Sequence, residues 1–219
     1  MTSPPLVAVI DHGAGNLVSI SQGLERAGAR VAIATGPADL SGAHAVVLPG
    51  VGAPGAAMSR LTDEGLVEPL RSWRGPLLGI CIGLQLFFEV SDEDGQACLG
   101  FDRGRVRKLE GAPLLPHIGW NDLTFPGNGR RRDPLFDGVP PGATFYFVHS
   151  YAPFPEDPAI TIAYSEYPHP FTAAVRSAHR IGVQFHPERS GDQGLRVLAN
   201  FVAEVEGWSR LAGGAGGDG

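Results

Sequence analysis

Short apolar runs that end in glycine, alternating with amphipathic stretches, set the pattern of the first half of the chain. Leu6 to Ile10 reads as a buried strand. Asn16 is a good N-cap for a helix over about residues 17–27, with Gly28 as its stop. Further strands are predicted at Arg30 to Ala34, His44 to Leu48 and Pro76 to Ile80. A helix is expected from about Ala53 to Trp73, and another over Ile82 to Glu89, where Leu84, Phe87 and Phe88 recur at helical spacing. Strands alternating with helices imply a parallel sheet whose functional loops gather at the carboxyl ends of the strands. Asp11 to Asn16, Pro49 to Gly52 and Cys81 are therefore expected on one edge.

From about Ser91 the pattern changes. Ser91 to Gly100 is polar and loop-like. Arg103, Arg105 and Arg107 alternate along a strand, putting three guanidinium groups on one face, as a solvated surface or a docking one. His117 to Asp122 follows, then a polar, basic excursion over residues 127–132 that reads as an exposed loop. Short strands recur at Phe145 to Val148, Ala159 to Tyr164, Phe171 to Val175 and Ile181 to Phe185. Pro and Gly bound them, so this half is expected to be antiparallel or mixed. A helix over about Asp192 to Trp208 closes a single domain spanning residues 1–211, and residues 212–219 read as a flexible tail.

The totals narrow the function classes. A chain of 219 residues, 43% of them hydrophobic, can bury a large core. A net charge of -6 and a pI near 5.6 argue against nucleic acid as a partner. No apolar run approaches membrane-spanning length, and the first residues lack a secretory pattern. Two cysteines, Cys81 and Cys98, make a disulfide framework unlikely and fit a reducing cytoplasm. The seven histidines are scattered and cysteine pairs are absent, so no metal site is expected, and no cofactor.

Chemistry concentrates at Gly79-Ile80-Cys81-Ile82-Gly83, the cysteine version of a strand-turn-helix nucleophile elbow. Its glycines suit a turn with no room for Cβ atoms, and a helix N-terminus favours thiolate over thiol. A base is available at His186-Pro187-Glu188. On an extended segment, residues i and i+2 project to one side, so Glu188 can orient His186. A lone buried cysteine is more often a small hydrophobe. The elbow with both glycines, together with the later His-Pro-Glu, favours nucleophilic catalysis. Gly50 to Gly52 can lie beside Cys81 and offer a backbone N–H to an oxyanion, with Ile82 N–H as second donor; a plain turn is the equal alternative. Gln85, one turn on from Cys81, either looks into the same pocket or is solvated. Asp11 to Asn16 carries Gly13 and Gly15 but Val18 where a dinucleotide fingerprint needs its third glycine, so that reading is weak. Cys98 has no elbow and reads as structural.

The chain resembles the class I (triad) glutamine amidotransferases, and within them it looks like the glutaminase subunit of imidazole glycerol phosphate synthase. The resemblance rests on Asp11-His12-Gly13-Ala14-Gly15-Asn16, Pro49-Gly50-Val51-Gly52, Gly79 to Leu86, Pro116-His117-Ile118-Gly119-Trp120-Asn121, Tyr146 to Tyr151 and Gln184 to Glu188. It implies a flavodoxin-like α/β fold, with a mixed, mostly parallel central sheet flanked by helices and a smaller antiparallel sheet. It implies Cys81, His186 and Glu188 as the triad, Gly50, Val51, Gly52 and Ile82 around the oxyanion, and a Gly50–Val51 peptide that must flip before it donates. Gly52, Gln85, His149, Ser150 and Tyr151 become glutamine-binding positions. Asn16, Tyr146 and Arg189 become contacts with a (β/α)8-barrel cyclase partner, which receives the ammonia. Departures are modest: His12 stands where Tyr is frequent, Arg189 where Lys is, and Ile82, Leu84 and Ile118 are apolar variants. Rival readings are the glutaminase of another class I synthase, a partner-independent cysteine hydrolase and a regulatory subunit with a dead site.

Overall fold

The computed structural model describes residues 3–13, 15–127 and 132–214. A seven-stranded sheet has the order β10-β11-β12-β4-β3-β1-β2. Its strands are β1 (Leu6–Ile10), β2 (Arg30–Ala34), β3 (Ala45–Leu48), β4 (Leu77–Ile80), β10 (Thr161–Glu166), β11 (Pro170–Ser177) and β12 (Arg180–Val183). Neighbours from β12 to β2 pair parallel, and β10 and β11 add antiparallel pairings at one edge. The sheet is thus mixed and mostly parallel. β3 and β4 are buried at every position, because helices cover both faces of a central parallel strand.

Helix α1 (Leu17–Arg26) starts where expected: Asn16 Oδ1 accepts the Ser19 N–H at 3.1 Å, and Ile20 and Leu24 face the core. The single helix expected over Ala53 to Trp73 is instead two, α2 (Pro54–Asp63) and α3 (Val67–Ser72). Gly65, at φ 68°, ends α2 in a Schellman turn, with Gly65 N–H on the Thr62 carbonyl and Leu66 N–H on that of Leu61. The helix expected over Ile82 to Glu89 is a single turn, α4 (Ile82–Gln85). Tertiary contacts override its helical spacing: the carbonyls of Leu86, Phe87 and Phe88 accept N–H groups from Leu99, Asp102 and Gly100. Phe87 and Phe88 are fully buried all the same.

Two small sheets stand where one was expected. One joins β5 (Val90–Ser91), β6 (Gly104–Lys108) and β9 (Tyr151–Pro155); the other pairs β7 (His117–Asp122) antiparallel with β8 (Thr144–His149). On and beside β6 the arginines are matched locally. Arg103 meets Glu156 at 3.2 Å, Arg105 meets Asp92 at 2.5 Å, and Arg107 lies over Phe154. Such exposed pairs add little stability. The last helix, α5 (Gly191–Gly214), runs past residue 212, where the tail was expected to begin; residues 215–219 lie outside the described residues. So do 128–131, most of the loop expected over 127–132. Among the described residues no helix is long and apolar enough to cross a membrane.

Candidate active site

Cys81 leaves the carboxyl end of β4, flanked by the ends of β3 and β12. Its backbone sits at φ 54°, ψ -105°, a conformation that side-chain-bearing residues rarely adopt, and its N–H is held by the Val183 carbonyl at 2.8 Å. Both elbow glycines are required by close approach. A Cβ at Gly79 would stand 2.7 Å from the Gly83 backbone, and one at Gly83 would run into the Leu48 carbonyl oxygen. The cysteine is buried and unpaired. With α4 only one turn long, the expected helix dipole is reduced to the N–H groups of that turn.

His186 lies beyond the end of β12, not within a strand, as the expected Ile181 to Phe185 strand stops at Val183. It keeps extended geometry (φ -100°, ψ 96°), and a 3₁₀ turn over Pro187–Arg189 then brings Glu188 back to it. Glu188 Oε1 meets His186 Nδ1 at 2.8 Å, with both side chains buried. Ser190, which sequence reasoning missed, fixes this turn: its hydroxyl donates to the His186 carbonyl at 2.6 Å and accepts the Tyr146 N–H at 3.0 Å. Nε2 of His186 is buried and has no hydrogen-bond partner. Burial alone would lower the imidazolium. The nearby Cys81 sulfur, followed by the bond to and charge of Glu188, outweighs burial and raises His186 to about 10. Cys98 is the contrast: burial, then the Asp94 charge, pushes it to about 12, which leaves it an inert thiol.

The residues expected around an oxyanion lie side by side, in a closed arrangement. Ile82 N–H, the expected second donor, points at the Gly50 carbonyl 3.4 Å away. Gly50 has no room for a Cβ, which would lie 2.8 Å from Ile82 Cβ and 3.3 Å from His12 Nε2. His12 is buried and bonds the Pro49 carbonyl at 2.6 Å, so one imidazole fixes the peptide that precedes Gly50. Gly52, at φ 94°, turns the chain beneath an exposed Val51.

A cavity of about 290 Å³ opens on the sulfur and is lined by Val51, Gly52, Cys81, Ile82, Gln85, Glu93, Pro116, Val148, His149, Ser150, Tyr151 and Arg189. The expected glutamine-binding positions are all among them. Gln85 is buried, not solvated; its Nε2 donates to the Tyr151 carbonyl at 2.9 Å, which leaves Oε1 buried and unpartnered. His149 contributes its place more than its nitrogens. Nδ1 is bonded to the Tyr151 carbonyl at 2.9 Å and Nε2 lies 3.3 Å from His117, while burial pushes the imidazole down to about 3. Glu93 was missed because its loop carries no motif. Among the described residues it is the one carboxylate lining the cavity, and burial, then the Asp94 charge, raises its pKa.

The residues expected at a partner surface form one neighbourhood. Arg189 lies 4.1 Å over the Tyr146 ring, Tyr146 is 6.5 Å from the His186 ring, and α1, which Asn16 caps, packs on the Pro187–Arg189 turn. On the same face of the β7–β8 pair, Ile118 and Trp120 are 61% and 54% exposed, and Trp120 meets Tyr146 edge-on at 5.9 Å. Sequence reasoning missed both; an apolar pair on the outer face of a strand was the available signal.

Among the described residues no group of three or more His, Cys, Asp or Glu could hold a metal ion. The glutamine amidotransferase class-I family model matches residues 8–205. The chain is 44% identical to the imidazole glycerol phosphate synthase subunit HisH of Moorella thermoacetica, over 96% of this chain and 98% of that one. It is 47% identical to the HisH subunit of Xanthomonas euvesicatoria pv. vesicatoria, over 90% and 96%. Among solved structures, a Thermoplasma acidophilum protein assigned as a GMP synthase subunit aligns with TM-score 0.74 at 20% identity, covering 97% of this chain and 100% of that one. PurLQS from Thermotoga maritima aligns at 0.69 and 17%, covering 92% and 99%.

Proposed function

The chain belongs to the class I glutamine amidotransferases, as a glutaminase subunit of imidazole glycerol phosphate synthase, and from that premise we propose how its residues release ammonia from glutamine. The Cys81 thiolate attacks the carboxamide carbon. The C–N bond breaks as the His186 imidazolium gives its proton to the leaving nitrogen, so ammonia departs and a γ-glutamyl thioester remains. His186, now neutral, takes a proton from water, which adds to the thioester carbon; glutamate leaves and the thiolate returns. Glu188 holds Nδ1 and supports the imidazolium. The observation that carries this reading is Cys81 on its tight elbow in the cavity wall at the end of β4, with the buried His186–Glu188 pair following the neighbouring strand β12.

In the cavity, Glu93 supplies the carboxylate an α-ammonium needs. Gln85 presents Oε1 to a substrate N–H, since its amide nitrogen is held by Tyr151. Gly52, Ser150, Tyr151 and the wall formed by His149 enclose the rest. The oxyanion requires Ile82 N–H and the Val51 N–H, and both become available only if the Gly50–Val51 peptide rotates the Gly50 carbonyl away. Rotation costs little at glycine. The synthase is a multi-subunit enzyme, and a (β/α)8-barrel cyclase is the partner we place against Trp120, Tyr146, Arg189 and Asn16. A cytoplasmic setting suits two unpaired cysteines.

Cys81→Ala tests the proposal. Glutamine turnover by the assembled synthase should vanish, while co-purification with the cyclase and use of added ammonia persist. Residual turnover near the native rate would end the nucleophile's role.

A further inference from the structure

A file of side-chain amides leads to the reactive sulfur, and its polarity can be read from one end. The Tyr151 carbonyl can only accept, so the Gln85 atom 2.9 Å from it is the amide nitrogen. The same nitrogen lies 3.2 Å from Gln184, which must therefore turn its oxygen toward Gln85. Gln184 is left with its Nε2 directed at Cys81 Sγ, 3.4 Å away. Gln184 is fully buried, and its backbone N–H is bonded to the Ala173 carbonyl at 2.8 Å, so the donor is held where it stands.

We propose that Gln184 is a catalytic residue whose carboxamide N–H stabilises the Cys81 thiolate, with Gln85 acting as the positioning residue that fixes its orientation. The inference rests on the reading of Cys81 as nucleophile. A thiolate accepts this N–H better than a thiol or a thioester sulfur does, since hydrogen bonds to charged acceptors are the stronger. The bond therefore acts twice: it holds the free enzyme's sulfur ionised, and it is regained when the thioester collapses and sulfur leaves. Gln85 thus serves both substrate, through Oε1, and nucleophile, through Nε2.

The test compares the full chain with Gln184→Met, similar in length and without a donor, and Gln184→Glu, which keeps an acceptor for Gln85 but faces the sulfur with a carboxylate. Iodoacetamide labelling of Cys81, read by peptide mass, is followed against pH, and glutamine kinetics are measured in the assembled synthase. Labelling at neutral pH should slow about tenfold in Gln184→Met and further in Gln184→Glu, with the pH profile displaced upward. In the synthase, kcat should fall about tenfold without a rise in KM, and the acyl-enzyme should accumulate. A native labelling profile in both variants, or a raised KM with native kcat, would overturn the inference. Should one variant fail to fold, as judged by its thermal transition, the other carries the comparison. Absence of label on Cys81 in the unsubstituted chain would instead count against the nucleophile reading itself.

Discussion

Ile82 directs its backbone N–H at the carbonyl of Gly50, 3.4 Å away, so the donor best placed to meet an oxyanion is turned toward the protein's own backbone. The His186–Glu188 pair is formed, yet the oxyanion hole we propose beside Cys81 is closed by a peptide that glycine leaves free to turn. The chain alone should hydrolyse glutamine at least about 10² to 10³ times more slowly than the assembled synthase, the usual loss for a single missing oxyanion donor. Ammonia release by the full chain, with and without its partner, measures this; equal rates would mean the peptide needs no rotation.

Gly50 is confined between Ile82 and His12, and a Cβ there would come within 2.8 Å of Ile82 Cβ. Gly50→Ala should cost about 1–3 kcal/mol through overpacking and should abolish partner-stimulated turnover. Denaturant midpoints and stimulated rates, taken together, distinguish this from a simple surface change.

The His186 pair sets a pH window. Its folded value, about 10, lies above the ordinary 6.5, so its contribution to stability is fully present below about 6.5 and is lost as pH rises through about 10. Removing the thiolate in Cys81→Ala leaves burial opposed mainly by Glu188, and the imidazole should then titrate at lower pH. An NMR titration of the His186 ring in both proteins checks the sign; an unchanged midpoint would show that Cys81 is not its main partner.

Trp120 and Arg189 flank the ring of Tyr146 on a face whose apolar residues are exposed. Trp120→Ala should weaken binding to the cyclase partner we propose by about 2 kcal/mol or more, as aromatic anchors at interface centres do. Basal labelling of Cys81 should be unaffected. Titration calorimetry against the partner reads the loss.

Much of this was legible in the sequence because local rules and tertiary structure agreed. The apolar runs of β1, β3 and β4, the Asn16 cap and the Gly79/Gly83 elbow all act over a few residues. The failures have long-range causes. Nothing near Leu86 announces that the loop through Leu99 and Asp102 will take its carbonyls and stop α4 after one turn. The break between α2 and α3 is the exception: Gly65 carried a local stop signal, and the single helix expected over Ala53 to Trp73 overlooked it. Glu93 and Ser190 were unreadable, since Glu93 lines a cavity that only the fold assembles and Ser190 ties the nearby His186 carbonyl to the distant Tyr146. Gln184 was visible inside a motif, but its role depends on a partner 99 positions away.

The central claim is that Cys81 carries the acyl group of glutamine while His186 moves the protons. The most direct measurement is peptide mass analysis of the assembled synthase, quenched in acid during glutamine turnover. The account predicts a γ-glutamyl group on the Cys81 peptide, absent from the Cys98 peptide and lost in His186→Ala. A γ-glutamyl group on Cys98, or none on either cysteine in an enzyme that is turning over, would contradict it.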